Sequence, residues 1–135
     1  AHLYDAATAA AYHGYAEELA KPHTPETEEY GISSVVFRAD RPFNRDRLLA
    51  ALRASTGLVR SKGYCWLDTD LQLAHAWQQA GPNLQIVPAS LWAANDVTPG
   101  TEIVLIGIDF DHQSTLRALR GALLSDAEVA ALIAS

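Results

Sequence analysis

A run of six apolar residues near the end of the chain places the strongest constraint on its fold. Residues 103–108 read Ile-Val-Leu-Ile-Gly-Ile. Strands that are apolar on both faces typically lie in the interior of a sheet. We therefore expect a β-sheet in which this strand has a neighbour on each side.

Other short stretches predict further strands of the same sheet. β-Branched or apolar stretches of strand length occur at residues 32–39, 58–60, 63–67 and 84–87. Residues 71–80 are ambiguous, because their apolar side chains fit either a helix or an alternating strand. We favour a strand there, on the basis of the resemblance described below.

Three helices are predicted in the same part of the chain. The first is expected to begin at Arg41-Pro42 and to bury Leu48, Leu49 and Leu52. Asp111 is a candidate N-cap for a helix that carries Leu116, Leu119 and Leu123, and Ser125 with Glu128 forms a capping box for one that carries Val129, Leu132 and Ile133. The predicted fold class is α+β, a largely antiparallel sheet with helices packed on one face.

The first 29 residues differ in composition from the rest. Residues from about 5 to 20 predict an alanine-rich helix, because Tyr4, Ala11, Tyr12, Tyr15 and Leu19 recur at roughly helical spacing and form one apolar stripe. Residues 21–30 contain two prolines and three glutamates, a composition typical of a linker. The predicted organisation is an N-terminal helix with an acidic linker over residues 1–29, followed by one α+β domain over residues 30–135.

The charge is divided unevenly along the chain. The net charge of −6 is concentrated in residues 1–31, where six acidic side chains stand against Lys21. Residues 38–62 carry seven basic and two acidic side chains. The simpler interpretation is an acidic linker and a solvated helix face, and the alternative is a basic groove for an anionic partner. Because the isoelectric point is about 5.2, we expect no nucleic acid as partner.

Several kinds of catalytic or metal site are disfavoured. The sequence lacks the Gly-x-x-x-x-Gly-Lys-Ser/Thr loop that surrounds nucleotide phosphates. Its one cysteine, Cys65, excludes an internal disulfide and a zinc site made of several of its own thiolates. Cys65 could meet His75 across a hairpin, which leaves a small metal-binding module as a weak alternative. We assign no catalytic and no metal-binding residue.

Aromatic and basic side chains form the candidate partner-binding set. Tryptophan and arginine are common anchors of protein interfaces, and the three tryptophans could share one face of the sheet or belong to the core. The candidate residues are Arg38, Arg60, Lys62, Trp66, Trp77 and Trp92.

An ordered set of short motifs resembles the C-terminal domain of CobW-type GTPases. Among them are Tyr-Gly-Ile-Ser-Ser-Val-Val-Phe-Arg at residues 30–38 and Arg-Pro-Phe-Asn-Arg-Asp-Arg at residues 41–47. The others lie at residues 58–67, 76–81, 91–94, 102–107 and 123–128. The resemblance covers roughly residues 30–132.

The resemblance implies a parent protein that uses GTP and Mg²⁺ to deliver Zn²⁺ or Co²⁺ to a client protein or a cofactor pathway. The phosphate-binding loop, the magnesium ligands and the Cys-x-Cys-Cys metal motif of the family belong to an N-terminal GTPase domain that this sequence lacks. The chain itself is then expected to be a non-catalytic interaction or regulatory domain without a cofactor. Its expected partners are the missing GTPase domain and a metal client, and a homodimer is the alternative.

Three further expectations concern the source and location of the chain. It contains no methionine, so we expect it to be a segment of a longer protein. No run approaches the ~20 apolar residues that span a bilayer, and no secretory signal is recognisable, so we expect a cytoplasmic protein without membrane contact. The excess of arginine over lysine and the abundance of alanine are typical of a bacterial source.

Overall fold

A five-stranded antiparallel sheet organises the chain in the computed structural model, which describes residues 31–134. The strands are β1 (Ile32–Ala39), β2 (Leu58–Trp66), β3 (Leu73–Ala80), β4 (Asn83–Leu91) and β5 (Thr101–Ile108). Their order across the sheet is β1-β5-β2-β3-β4. The predicted α+β class is confirmed, and the apolar run in β5 has a neighbour on each side, as predicted. The helix and linker predicted within residues 1–29 lie outside the described residues.

Three α-helices and one short 3-10 helix complete the described chain. They are α1 (Arg45–Ala54), the 3-10 helix (Ala93–Asn95), α2 (His112–Gly121) and α3 (Asp126–Ala134). The predicted start of α1 at Arg41-Pro42 is too early, and the helix begins at Arg45. The Asn44 side chain caps it by accepting a 3.0 Å hydrogen bond from the Arg47 amide. The Asp111 cap and the Ser125-Glu128 capping box are confirmed.

Two strands differ from their predicted extents. The pieces expected at residues 58–60 and 63–67 form one continuous strand, β2, whose pairing with β5 shifts between Leu58 and Arg60. β4 continues past Val87 to Leu91 and contains Pro88. Proline is tolerated there because β4 lies at the edge of the sheet, where a ladder donor can be lost. Residues 73–80 form a strand, as favoured.

The main core lies between the helices and one face of the sheet. Fully buried side chains from the strands, from α1 and α2 and from the loops meet there, namely Phe37, Phe43, Leu48, Leu67, Trp77, Ile103, Leu105 and Leu119. α3 buries none of its residues, and Ile133 is 82% exposed. Ion pairs from Arg41 to Asp126 and from Arg47 to Glu128 connect α3 to the rest.

The two edges of the sheet differ. At one edge, β1 pairs with β5 over all eight of its residues and contains no proline. At the other edge, β4 carries Pro88, and its pairing with β3 shifts register between Ala74 and His75. An irregular, proline-containing edge strand is a poor template for another strand.

Candidate interaction face

The face of the sheet away from the core is covered by no α-helix within residues 31–134. Alternate side chains of a strand point to opposite faces, so the register assigns each residue to a face. Three cross-strand rows define what we term the open face. They are Ser34-Ile106-Arg60-Ala80, Val36-Val104-Lys62-Gln78 and Arg38-Glu102-Tyr64-Ala76.

All three basic candidate residues lie on the open face. Arg60 stands between Ile106 and Ala80, and Lys62 stands in the next row. Arg38, one row further, donates from Nε to Glu102 Oε1 at 2.6 Å, and the Glu102 side chain is only 4% exposed. The arginines of α1, such as Arg47 and Arg53, belong to the helix layer instead. The basic stretch of residues 38–62 is therefore divided between two sides of the domain.

Trp66 and Trp92 lie on the open-face side, near its end. The half-buried Trp66 donates from Nε1 to the Leu71 carbonyl at 2.8 Å. Trp92 is buried against Tyr64, with ring centroids 6.1 Å apart in an edge-to-face arrangement. Burial and the Glu102 carboxylate raise the pKa of Tyr64, which keeps the phenol neutral. This aromatic corner is a small second core that leaves only part of Trp66 and Tyr64 accessible.

Trp77 does not lie on this face, and the idea that the three indoles share one face is wrong. Its register partner is Gly63, and its side chain is 1% exposed within the main core. There it hydrogen-bonds Ser61. Trp77 therefore stabilises the domain and offers no surface to a partner.

Cys65 and His75 are brought together, directly opposite each other on β2 and β3. Both are buried. Burial raises the pKa of Cys65 to about 12 and lowers that of His75, so a neutral thiol faces a neutral imidazole. The His75 Nδ1 atom has no hydrogen-bond partner among the described residues.

Cys65 and His75 are two candidate metal ligands without a third beside them in the described part of the chain. No group of three or more His, Cys, Asp or Glu side chains could hold a metal anywhere in residues 31–134. The positive charge of Arg45 acts on both Cys65 and His75 and opposes a cation there. A thiol with so high a pKa also resists the deprotonation that metal binding requires.

The apolar part of the open face was not anticipated from the sequence. Ile32 and Ile108 are register partners at its corner, and they are 39% and 48% exposed. The half-buried Val36 and Ile106 continue this surface towards Arg60 and Lys62. The signal was present in the strong apolar character of β1 and β5, but assigning it to a face requires the register.

Comparison with known families identifies the fold. Residues 32–123 match the family described as the cobalamin synthesis protein cobW C-terminal domain. The chain belongs to this family. The matched CobW C-terminal region spans all five strands as well as α1 and α2, and the resemblance seen in the sequence motifs is confirmed.

Relatives of known name agree with the family. The zinc-regulated GTPase metalloprotein activator 1 of Dictyostelium discoideum is 32% identical over 94% of this CobW C-terminal chain. The chain spans about a third of that relative, 32% of its length. The Zn(II)-bound YjiA GTPase of E. coli superposes with a TM-score of 0.61 at 22% identity, over 77% of this chain and 34% of YjiA. A Zn(II)-bound triple mutant of YjiA gives 0.60. These two structures share the fold.

Within the described residues, no helix is both long enough and apolar enough to cross a lipid bilayer.

Proposed function

We propose that this chain is the non-catalytic interaction domain of a GTP-dependent metallochaperone, and that the open face is its contact surface. The observation that carries the proposal is the face itself, which combines exposed isoleucines with Arg60 and Lys62 and is covered by no α-helix of the described chain. Accessible apolar side chains beside cations are typical of protein-binding surfaces.

The relatives support the parent's activity. One is named a zinc-regulated GTPase metalloprotein activator, and the chain matches only about a third of its length. The phosphate-binding loop motif is absent from the printed sequence. GTP, Mg²⁺ and the delivered Zn²⁺ or Co²⁺ would then be bound by the GTPase domain of the parent, and this chain would contact that domain or the metal client.

Association with the GTPase domain tests the proposal. The GTPase domain of the parent, produced separately, is titrated with the chain in the GDP-bound and GTP-bound states. Arg60→Glu with Lys62→Glu should weaken binding by about tenfold or more, because the two substitutions reverse the charge of the proposed contact surface. The matched control, Arg53→Glu with Arg117→Glu, makes the same charge change on α1 and α2 and should leave binding unchanged.

Two results would overturn this function. One is equal loss of binding in both pairs of variants, which would assign the contact to overall charge and not to the open face. The other is GTP hydrolysis by the chain alone at the rate of an intact family GTPase.

A calorimetric titration with Zn²⁺ and Co²⁺ tests the assignment of metal handling to the parent. We expect no binding tighter than about 1 μM, which corresponds to about −8 kcal/mol. Tight one-to-one binding that a Cys65→Ser, His75→Ala variant loses would instead establish a metal-binding module at that pair.

A second candidate function is dimerisation of the parent through β1. This strand is an edge of eight residues without proline, and Ile32 at its end is exposed. Antiparallel pairing of two β1 strands around a two-fold axis would join two sheets. Light scattering over a hundredfold range of concentration tests for this dimer. A constant monomer mass would exclude it.

A further inference from the structure

A groove runs along the helix side of the sheet, between α1 and the edge strand β4. Two cavities of about 410 and 380 Å³ lie there, and they adjoin because Leu49 and Leu84 line both. Leu52 and Leu58 line one end of the groove, and Ile86 lines the other. All five side chains are only partly buried, so the groove has an apolar floor that is open to solvent along its length.

The helix α1 places one cation at each end of this groove. Arg45, Leu49 and Arg53 are spaced four residues apart and therefore share one face of the helix. The two arginines lie two helical turns apart, about 12 Å along the helix axis, and each lines one of the two cavities. Both side chains are exposed, and neither guanidinium is in an ion pair within the described part of the chain.

The charge and the apolar floor together define what the groove can bind. No acidic side chain of residues 31–134 lines either cavity, so the groove carries a net positive charge. The leucine and isoleucine floor favours apolar side chains of a partner, and an arginine at each end favours a carboxylate at each end. A helix with two carboxylates two turns apart and apolar residues between them presents this pattern on a single face.

Two other kinds of occupant fit the groove less well. An extended peptide would gain main-chain hydrogen bonds only from the edge of β4, and Pro88 and the register shift make this strand a poor template. A second copy of the chain could offer its exposed helix α3, whose carboxylates Asp126 and Glu128 are only two positions apart. Both of these carboxylates are already held in ion pairs by arginines of their own copy.

We propose that the groove between α1 and β4 is a docking site for an amphipathic helix of a partner protein, with carboxylates two turns apart and apolar side chains between them. The carboxylates pair with Arg45 and Arg53, and the apolar side chains pack on the floor. Ile86 faces the same side of the sheet as its register partner Trp77, so the groove lies opposite the open face. The domain therefore holds this partner while the GTPase domain occupies the open face.

A labelled synthetic peptide is the probe. It is an alanine-based helix of about 16 residues with two glutamates eight positions apart and leucines between them, stabilised by a side-chain cross-link because so short a helix is marginal in water. We expect it to bind the full chain with a dissociation constant below about 100 μM in fluorescence anisotropy titrations. Arg45→Glu with Arg53→Glu should weaken this binding by about tenfold or more. The matched control, Arg117→Glu with Arg120→Glu, makes the same charge change on α2 and should leave it unchanged.

Exchanging the charges separates a direct contact from a loss of folding. A second peptide, with lysines in place of the two glutamates, should bind the unaltered chain about tenfold more weakly than the first. The same lysine peptide should bind the Arg45→Glu, Arg53→Glu variant more tightly than it binds the unaltered chain. An unfolded variant would not gain affinity in this way. A photoreactive group between the two charges of the glutamate peptide should cross-link to α1 or β4.

Five results would each overturn the proposal. The first is no binding of the glutamate peptide at about 1 mM. The second is equal weakening in both pairs of variants, which would assign the binding to overall charge. The third is equal affinity of the two peptides for the unaltered chain. The fourth is cross-linking to β1 or β5, which would place the peptide on the open face. The fifth is self-association of the chain that the peptide reverses, which would assign the groove to a second copy.

Discussion

The indole Nε1 of Trp77 donates a 2.7 Å hydrogen bond to the Ser61 hydroxyl, inside the core and across two neighbouring strands. Ser61 donates in turn to Gln79 Oε1 at 2.8 Å, and Gln79 Nε2 donates to the Gly81 carbonyl at 2.7 Å. The Trp77, Ser61 and Gln79 side chains are buried and each is satisfied by the next group in this hydrogen-bond series, which ties β2 to the turn that follows β3.

Removing the Ser61 hydroxyl from this series of hydrogen bonds should destabilise the domain. In Ser61→Ala, the Trp77 N–H loses its acceptor and Gln79 loses a donor, which should lower the free energy of unfolding by about 1–3 kcal/mol. Urea denaturation followed by tryptophan fluorescence measures the change. Ser114→Ala on the exposed side of α2 is the control and should change stability by less than about 0.5 kcal/mol. An equal loss of unfolding free energy in the two variants would show that these buried hydrogen bonds do not stabilise the domain.

Removal of Arg38 should destabilise the domain, because the buried Glu102 carboxylate then loses its ion pair. We expect Arg38→Ala to destabilise the domain by about 1–3 kcal/mol, less than for a fully buried ion pair because Arg38 is 49% exposed. Adding Glu102→Gln removes the buried charge that Arg38 contacts and should recover part of the loss. Thermal unfolding of the single and double variants measures this coupling, and a double variant less stable than Arg38→Ala would refute it.

Gly63 should tolerate no side chain. A Cβ atom at this position would overlap the carbonyl oxygen of Glu102 on the neighbouring strand, where only backbone movement could relieve the contact. Gly63→Ala should therefore cost about 3 kcal/mol or more. Gly121, in the last turn of α2, has open space around it, and Gly121→Ala should be neutral or stabilising by up to about 1 kcal/mol. Denaturant titration compares the two, and a tolerated Gly63→Ala would contradict the close strand approach.

His75 should make stability depend on pH. Burial lowers the pKa of His75 in the folded chain, so below its ordinary value of about 6.5 the unfolded chain binds the proton first. Stability should fall as pH decreases from about 6.5, by at most about 1.4 kcal/mol per pH unit for this one group. Denaturation of wild type and His75→Gln between pH 7 and 5.5 measures the slope. An identical slope in both would show that His75 does not contribute.

Cys65 should be inert in the folded chain. Burial raises the pKa of Cys65 to about 12, and only the thiolate reacts with aromatic disulfide reagents. At pH 8, Cys65 of the native chain should react no faster than the chain unfolds locally around it. In concentrated urea, Cys65 should react within seconds to minutes. Rapid labelling without denaturant would contradict the burial of the thiol.

The strands could be predicted more easily than the faces on which their side chains lie. The strand at residues 103–108 follows from its run of apolar side chains, whereas the strand at residues 73–80 was favoured because of the family resemblance, since its spacing fits either a helix or a strand. The opposite placement of Trp66 and Trp77 depends on the pairing of Trp66 with Ala74 and of Gly63 with Trp77. That register is fixed by the connection between β2 and β3, and a slip of one residue would exchange the faces.

The candidate site was only partly predictable for the same reason. Arg60 and Lys62 lie two apart on β2 and so share a face, but the sequence predicted two separate strands there and left Lys62 between them. The exposed Ile32 and Ile108 become one surface only through the pairing of β1 with β5, strands far apart in the chain. Glu102 entered no prediction, because one carboxylate between apolar residues gives no sign that it will be buried beside Arg38.

The difference between the two sheet edges limits how copies of this chain can assemble. Within the described residues, β1 is the regular edge, and β4 is interrupted by Pro88 and a register shift. If one copy adds a strand to another through β1, both regular edges are used, and the remaining edges are the irregular ones. Growth by strand addition then stops at two copies, which protects a concentrated solution of the domain from forming fibres.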